Sequence, residues 1–238
     1  MQKGKLFLIP TVLAADTAGA VISPQIKDVV SHIDHYLVEN IRTARRFISS
    51  LKLGIAIDPL QFEVLDKKTS RPELERIMQP LLKGIDMGVM SEAGCPGIAD
   101  PGSAAVAYAH QKGIQVVPLS GPSAMFLALM GSGFNGQSFA FHGYLPIDKK
   151  ARQLSIRQLE SESAANNRTQ IFMETPFRNN VIFDDLKQNL HPNTLLCIAK
   201  NITAQDELIQ TKPVSEWKKT NLDLHKVPVV FVLYAGSK

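Results

Sequence analysis

The residues best suited to chemistry in this chain form one glycine- and proline-rich segment, Ser91-Glu92-Ala93-Gly94-Cys95-Pro96-Gly97-Ile98-Ala99-Asp100-Pro101-Gly102. It follows a short apolar run, Gly88-Val89-Met90, and precedes a stretch of helical composition. Glycines in a strand-to-helix loop let the backbone approach a ligand closely, and the helix beyond offers unspent N–H donors. A tight turn that needs unusual dihedrals would use the same residues. A second segment of this kind is Ser120-Gly121-Pro122-Ser123, where Ser123 can cap the next helix or face a ligand. A third, Glu174-Thr175-Pro176-Phe177-Arg178, leaves a carboxylate and a guanidinium at a strand end, as an ion pair, a cap or a substrate contact.

Two basic clusters could hold phosphates or simply be solvated helix faces: Lys149-Lys150-Ala151-Arg152 with Arg157, and Arg42 with Arg45 and Arg46. Phe141, His142 and Tyr144 precede the first cluster and add rings on which bases could stack. Other chemistries are not supported. There is no G-x-x-x-x-G-K-[ST] phosphate loop, and the echo of a dinucleotide fingerprint at Glu92–Gly97 has a proline before its second glycine. Histidines 32, 35, 110, 142, 191 and 225 show no metal-ligand spacing, and Cys95 and Cys197 form neither a CxxC nor a CxxH pair, so no metal site is expected.

The elements that must position these segments read as α/β. Leu6 to Ile9, ending at Pro10, predicts a buried strand, and Ser23-Pro24 opens a helix to about His32. Tyr36-Leu37-Val38-Glu39 is followed by a helix with Ile41, Ala44, Phe47, Ile48 and Leu51 on one face. Ser70 with Glu73 forms a capping box, and Gly84 a stop, predicting one helix from Arg71 to Lys83. A helix from about Ser103 to Lys112 and the strand 114–118 complete a parallel crossover, and a small apolar helix runs on to about Met130. Later strands are expected at 139–142, 170–174, 195–200 and 228–234. The boundary is placed so that residues 1–119 form an N-terminal α/β domain and 120–238 a C-terminal one.

Composition agrees with a folded protein throughout. Apolar residues make up 45% and charged residues 20% of the 238, unlike a disordered chain. A balance of 26 Lys+Arg against 22 Asp+Glu permits a polyanionic partner without demanding one. Neither a signal-peptide core nor an apolar run of membrane-spanning length occurs, and the cysteine usage fits a reduced compartment, so a soluble cytoplasmic protein is expected.

The motif segments together resemble the tetrapyrrole methylase superfamily and, within it, its small-subunit ribosomal RNA methyltransferases. Met90 to Gly102 is similar to V-S-D-A-G-T-P-x-I-S-D-P-G, and Val116 to Ala124 to V-V-P-L-P-G-P-S-A. Phe141-His142-Gly143-Tyr144-Leu145-Pro146 resembles F-x-G-F-L-P, and Ile171 to Arg178 resembles I-F-Y-E-S-P-H-R. The resemblance spans about residues 36 to 234. It implies a two-domain fold, with a mainly parallel N-terminal sheet, a mixed C-terminal sheet and a cofactor cleft between them. It also implies a homodimer that uses S-adenosylmethionine and acts on RNA by methylating the 2′-hydroxyl of a cytidine, with no membrane association.

Residue by residue, the resemblance implies cofactor contacts at Leu13, Glu92, Gly94, Cys95, Pro96, Ile98, Ser123, Ala124, Met173, Ala199 and Pro228. Substrate contacts are expected at Arg42, Lys149, Lys150, Arg152, Glu174 and Arg178. The resemblance is broken in three segments. T-P-I-G-N becomes Ile9-Pro10-Thr11-Val12-Leu13, E-D-T-R becomes Glu39-Asn40-Ile41-Arg42, and A-R-E-L-T-K becomes Ala199-Lys200-Asn201-Ile202-Thr203-Ala204. Two other readings keep the fold: methylation of a tetrapyrrole-like small molecule, and a cofactor-binding homologue without catalysis.

Overall fold

The computed structural model describes residues 2–236 and divides into two compact units, one ending at Ser123 and the other starting at Ala124. In the first unit the strands β1 (Leu6–Ile9), β2 (His35–Val38), β3 (Gln61–Val64), β4 (Met87–Met90) and β5 (Val116–Pro118) form a sheet of order β3-β2-β4-β1-β5. Every pairing is parallel. Helices on both faces explain the uninterrupted apolar strands, since a parallel sheet is covered on both sides. Ile9, Tyr36, Val38 and Met90 pack with α2 (Pro24–His32) and α3 (Ile41–Ser50), whereas Leu6, Leu37, Met87 and Val89 pack with α4 (Arg71–Ile77), α5 (Gln79–Leu82) and α6 (Gly102–Gln111). A short α1 (Ala18–Val21) precedes α2.

Local chemistry sets the helix ends. Ser23 accepts from Ile26 N with Pro24 in the first turn, and Ser70 accepts from Glu73 N. Asn40 accepts from both Arg42 N and Thr43 N, at 2.9 and 3.3 Å, and so starts α3. The single helix expected over 71–83 is in fact two, α4 and α5, meeting at Met78. Pro80 has no N–H for the carbonyl four residues back, and that missing bond breaks the helix. Strand β3 was not read from the sequence. It is a four-residue edge strand, exposed at both ends, without a strong apolar pattern.

In the second unit β6 (Phe139–Tyr144), β7 (Thr169–Met173), β8 (Leu195–Lys200), β9 (Leu208–Pro213) and β10 (Val229–Tyr234) form a sheet of order β6-β7-β10-β8-β9. Only β6–β7 is parallel, so the sheet is mixed. Helix α7 (Ala124–Ser132) lies on the sheet against β8, β9 and β10. The other core is built by α8 (Lys149–Asn166), α9 (Asn179–Asn189) and α10 (Val214–Trp217) over Phe172, Leu196, Ile198, Phe231 and Leu233. Trp217 is fully buried and donates Nε1–H to Leu196 O at 2.8 Å, so its one polar atom is satisfied. Phe172 and Phe231 stack at 5.6 Å across the β7–β10 pair. No helix of the described residues is long and apolar enough to cross a membrane.

The basic cluster at the start of α8 is divided by burial. Lys149 and Lys150 are exposed, but Arg152 is 4% exposed and does not belong to a surface patch. Its Nε donates to Asp185 Oδ2 at 2.7 Å, a second guanidinium nitrogen lies 2.7 Å from the same carboxylate, and Nη1 donates to Ile147 O at 2.6 Å. Periodicity along α8 turns residue 152 inward with Ile156, Leu159 and Ser163. The expectation that Arg152 contacts substrate is corrected accordingly: its donors are consumed by a buried fork on α9. Arg152→Ala strands Asp185 as a buried, unpaired charge, which costs about 3–5 kcal/mol. A fall of that order in the unfolding free energy obtained by urea titration is expected; an unaltered free energy would contradict the pairing.

Candidate functional site

The site residues in the first unit gather at the carboxyl ends of β1 and β4. Chain connections leave these adjacent strands in opposite directions, to β2 through α2 and to β5 through α6, which makes their junction the switch point where open α/β sheets bind ligands. Three loops meet there. Thr11 N donates to Gly94 O at 2.9 Å and Thr11 Oγ1 to Ser91 O at 3.3 Å, tying the loop after β1 to the loop after β4. The Cys95 thiol points to Pro122 O at 3.4 Å, tying that loop to the one after β5. Leu13 reaches the same spot: a Cβ on Gly94 would stand 3.0 Å from Leu13 Cδ2 and 3.3 Å from Pro122 O. With φ of +75° as well, position 94 is held to glycine by both space and backbone. Leu13, Gly94, Cys95 and Ser123 are thus brought to one sheet end, with Pro96 buried beside them and Ile98 exposed at 40%.

Asp100 shapes the loop. Its Oδ1 accepts from Gly97 N and Gly102 N, each at 2.7 Å, while Oδ2 has no partner. Burial raises its carboxyl above the usual range, against the pull of those two N–H groups. Two more carboxylates stand near. Glu92 accepts from Thr43 Oγ1 at 3.2 Å. Glu39, half-buried at the end of β2, is raised first by burial and then by repulsion from Asp100, against a hydrogen bond from the Glu92 N–H. Arg42 lies exposed at the start of α3 beyond Asn40. Sequence reasoning singled out neither Glu39 nor Asp100; the Asp-Pro-Gly at a helix start was the available signal for Asp100.

In the second unit three expected cofactor positions converge on one sheet end. Val230 is paired with Met173 on one side and Ala199 on the other, and Pro228 leads into the same strand. Ala199 is fully buried, Met173 half-buried and Pro228 exposed. Ala124 opens α7, whose first-turn N–H groups lack partners within the helix and suit a carboxylate. Glu174 follows Met173 with only 2% of its side chain exposed; its Oε1 accepts from Thr175 N at 2.7 Å, and Oε2 lies 3.1 Å from Arg178. That last pair lacks hydrogen-bond alignment, which leaves Oε2 and the Arg178 nitrogen without directed partners. Beyond Ala199 the chain is strained. Thr203 sits at φ +73°, unusual for a β-branched residue, with a buried, unpartnered hydroxyl. Asn201 takes φ +49° and donates Nδ2–H to Asp206 at 2.6 Å.

The residues fit the methyl donor the resemblance implies. In the first unit Leu13 offers such a ligand an apolar surface; in the second, the unspent N–H groups at Ala124 suit its amino-acid carboxylate, and Met173 and Ala199 suit its apolar and adenosyl parts. No group of three or more His, Cys, Asp or Glu among the described residues is arranged to hold a metal ion.

Two outcomes follow for this loop and its carboxylates. Asp100→Asn keeps an Oδ1 acceptor for Gly97 and Gly102 and preserves the loop; Asp100→Ala removes both bonds and costs about 1–3 kcal/mol, read as a lower Tm and faster proteolysis between 94 and 102. Equal stability of the two variants would refute this role. Because Glu39 is raised, the folded chain keeps a proton that the unfolded chain releases, so stability falls as pH climbs from the ordinary carboxylate value through the raised one. Glu39→Gln flattens that decline in denaturant midpoints measured against pH, and an unchanged slope would exclude Glu39 as its source.

Known proteins resemble this chain in sequence and in fold. Residues 16–218 match the family model described as Tetrapyrrole (Corrin/Porphyrin) Methylases. A relative from Vibrio cholerae, Ribosomal RNA small subunit methyltransferase I, is 30% identical over 89% of this chain and 69% of its own. The solved methyltransferase CobJ superimposes with a TM-score of 0.65 at 15% identity, covering 97% of this chain and 94% of that one. Uroporphyrin-III C-methyl transferase from Thermus thermophilus, complexed with S-adenyl homocysteine, does so at 0.57 and 13% identity, covering 97% of each. The chain belongs to the tetrapyrrole methylase family and is an S-adenosylmethionine-dependent methyltransferase.

Proposed function

We propose that this methyltransferase acts on RNA, transferring the methyl group to the 2′-hydroxyl of a cytidine in the small ribosomal subunit, as a cytoplasmic homodimer. The observation that carries the reading is the similarity to Ribosomal RNA small subunit methyltransferase I, which runs along 89% of the chain. The family match over residues 16–218 takes in the loops that follow β4 and β5. S-adenosylmethionine supplies the chemistry as a methyl group on a sulfonium. The chain's own task is to hold the hydroxyl in line with that methyl and accept its proton, so positioning dominates. In this reading Leu13, Gly94, Cys95, Ser123, Ala124, Met173, Ala199 and Pro228 hold the donor. Arg42, Lys149 and Lys150 are exposed cations that meet phosphates. Arg178 is anchored by a buried carboxylate and faces the acceptor.

The altered family positions do not argue against the activity. Asn40 does the capping that an aspartate would do, and Asn201 occupies a left-handed turn that asparagine tolerates well. A second reading, methylation of a tetrapyrrole-like small molecule, is favoured by the fold shared with the Thermus enzyme. Labelled S-adenosylmethionine incubated with small ribosomal subunits lacking the modification, and separately with porphyrin precursors, distinguishes the two. Label on rRNA alone is expected. Label on the precursors alone would overturn the RNA reading, and no binding of the donor in calorimetry at millimolar concentration would overturn both.

A further inference from the structure

The turn that starts α9 displays a ring for which the core has no use. Phe177 is 68% exposed, yet its backbone is fixed on every side. Arg178 N donates to Thr175 O and Lys226 N to Pro176 O, each at 2.9 Å. Asn179 Nδ2 donates to Val227 O at 2.6 Å, Asn180 Nδ2 donates to Asp223 Oδ1, and Leu224 N donates to Asn180 Oδ1, the last two at 2.8 Å. Residues 174–180 and 223–228 therefore form one hydrogen-bonded platform. The His225 ring stands nearly perpendicular to Phe177 at a centroid distance of 6.2 Å, and the exposure of Phe177 leaves ring surface free.

The surroundings choose the partner. Thr175, His225 and Lys226 beside the ring are exposed, and Arg178 is 26% exposed, so polar and cationic groups flank the ring, with Val181 the next exposed large apolar side chain along α9. A protein interface of useful size would continue in apolar residues; an unpaired base needs only one ring face and a nearby cation for its phosphate. Arg178 is suited to the latter, since its buried Nη2 lies 3.1 Å from the Glu174 carboxylate, which holds it in place, while the side chain as a whole stays 26% exposed. Lys226 projects from a left-handed position tied to Pro176, and Lys200 lies at the end of β8 beside Val229. The platform also adjoins the sheet end at Met173 and Pro228.

We infer that Phe177 with His225 is a stacking platform for an unpaired base of single-stranded RNA, whose neighbouring phosphates meet Arg178 and Lys226. This rests on the RNA reading above and adds the surface that would seat the strand. The test uses a fluorescently labelled single-stranded RNA of about ten nucleotides, read by anisotropy, with S-adenosylmethionine affinity measured by calorimetry on the same proteins. Phe177→Ala weakens RNA binding roughly 5- to 150-fold, the equivalent of about 1–3 kcal/mol for one stacked base, and leaves donor affinity and Tm unchanged. Phe177→Tyr keeps the affinity. Lys226→Gln lowers the slope of log affinity against log salt by about 0.7. RNA binding by Phe177→Ala equal to the parent overturns the platform while leaving the RNA reading in place. A parent protein that binds the donor but no RNA overturns both. If Phe177→Ala changes only the sedimentation behaviour, the ring belongs to a protein interface and the inference is wrong.

Discussion

One carboxylate oxygen holds together the part of the first unit on which the rest of its chemistry depends. Between β4 and α6 the backbone passes through the left-handed region at Gly94, Gly97 and Ala99. For the alanine that conformation is unfavourable by about 1–2 kcal/mol. The chain accepts it because Asp100 Oδ1 gathers the N–H groups of Gly97 and Gly102, closing the loop and beginning α6 together. Without that closure Gly94 would lose its bond to Thr11 and Cys95 its approach to the 120–123 turn. Three loops at one sheet end are in this sense a single structure, and a ligand would meet it already formed.

The second unit solves the same problem by register. Antiparallel pairing of β10 with both β7 and β8 fixes Met173 and Ala199 on either side of Val230, although they are distant in sequence. No loop has to bring them together. Beyond the strand ends, Glu174 Oε2 and the Thr203 hydroxyl are buried without directed partners, a state that natural cores rarely tolerate away from functional sites. Below them the aromatic core of Phe172, Phe231, Phe183 and Trp217 is well paired and gives the sheet end a rigid support.

Much of this was legible in the sequence, for identifiable reasons. The strands of the first sheet are short apolar runs bounded by Gly and Pro, and the capped starts of α2 and α4 follow directly from Ser23-Pro24 and Ser70 with Glu73. What was missed had weaker local signals. Edge strands β3 and β9 owe their form to neighbours, as their half-exposed residues show. Pro80 was passed over inside a convincing helical pattern. Arg152 was grouped with Lys149 and Lys150 by adjacency, whereas the helical turn separates them and its partner Asp185 lies 33 positions away. The proximity of Glu39, Glu92 and Asp100 is likewise tertiary, joining the ends of two strands that no sequence spacing links.

Asn40 has a consequence of another kind. As a cap it performs as an aspartate would, so this position could change its charge without disturbing the start of α3. With Glu39, Glu92 and Asp100 already close, an aspartate there would have crowded a fourth negative group into the same few ångströms. The carboxamide therefore relieves repulsion while conserving shape. At this spot architecture is separable from electrostatics: the charge beside three carboxylates can change while the cap, and with it the start of α3, stays as it is.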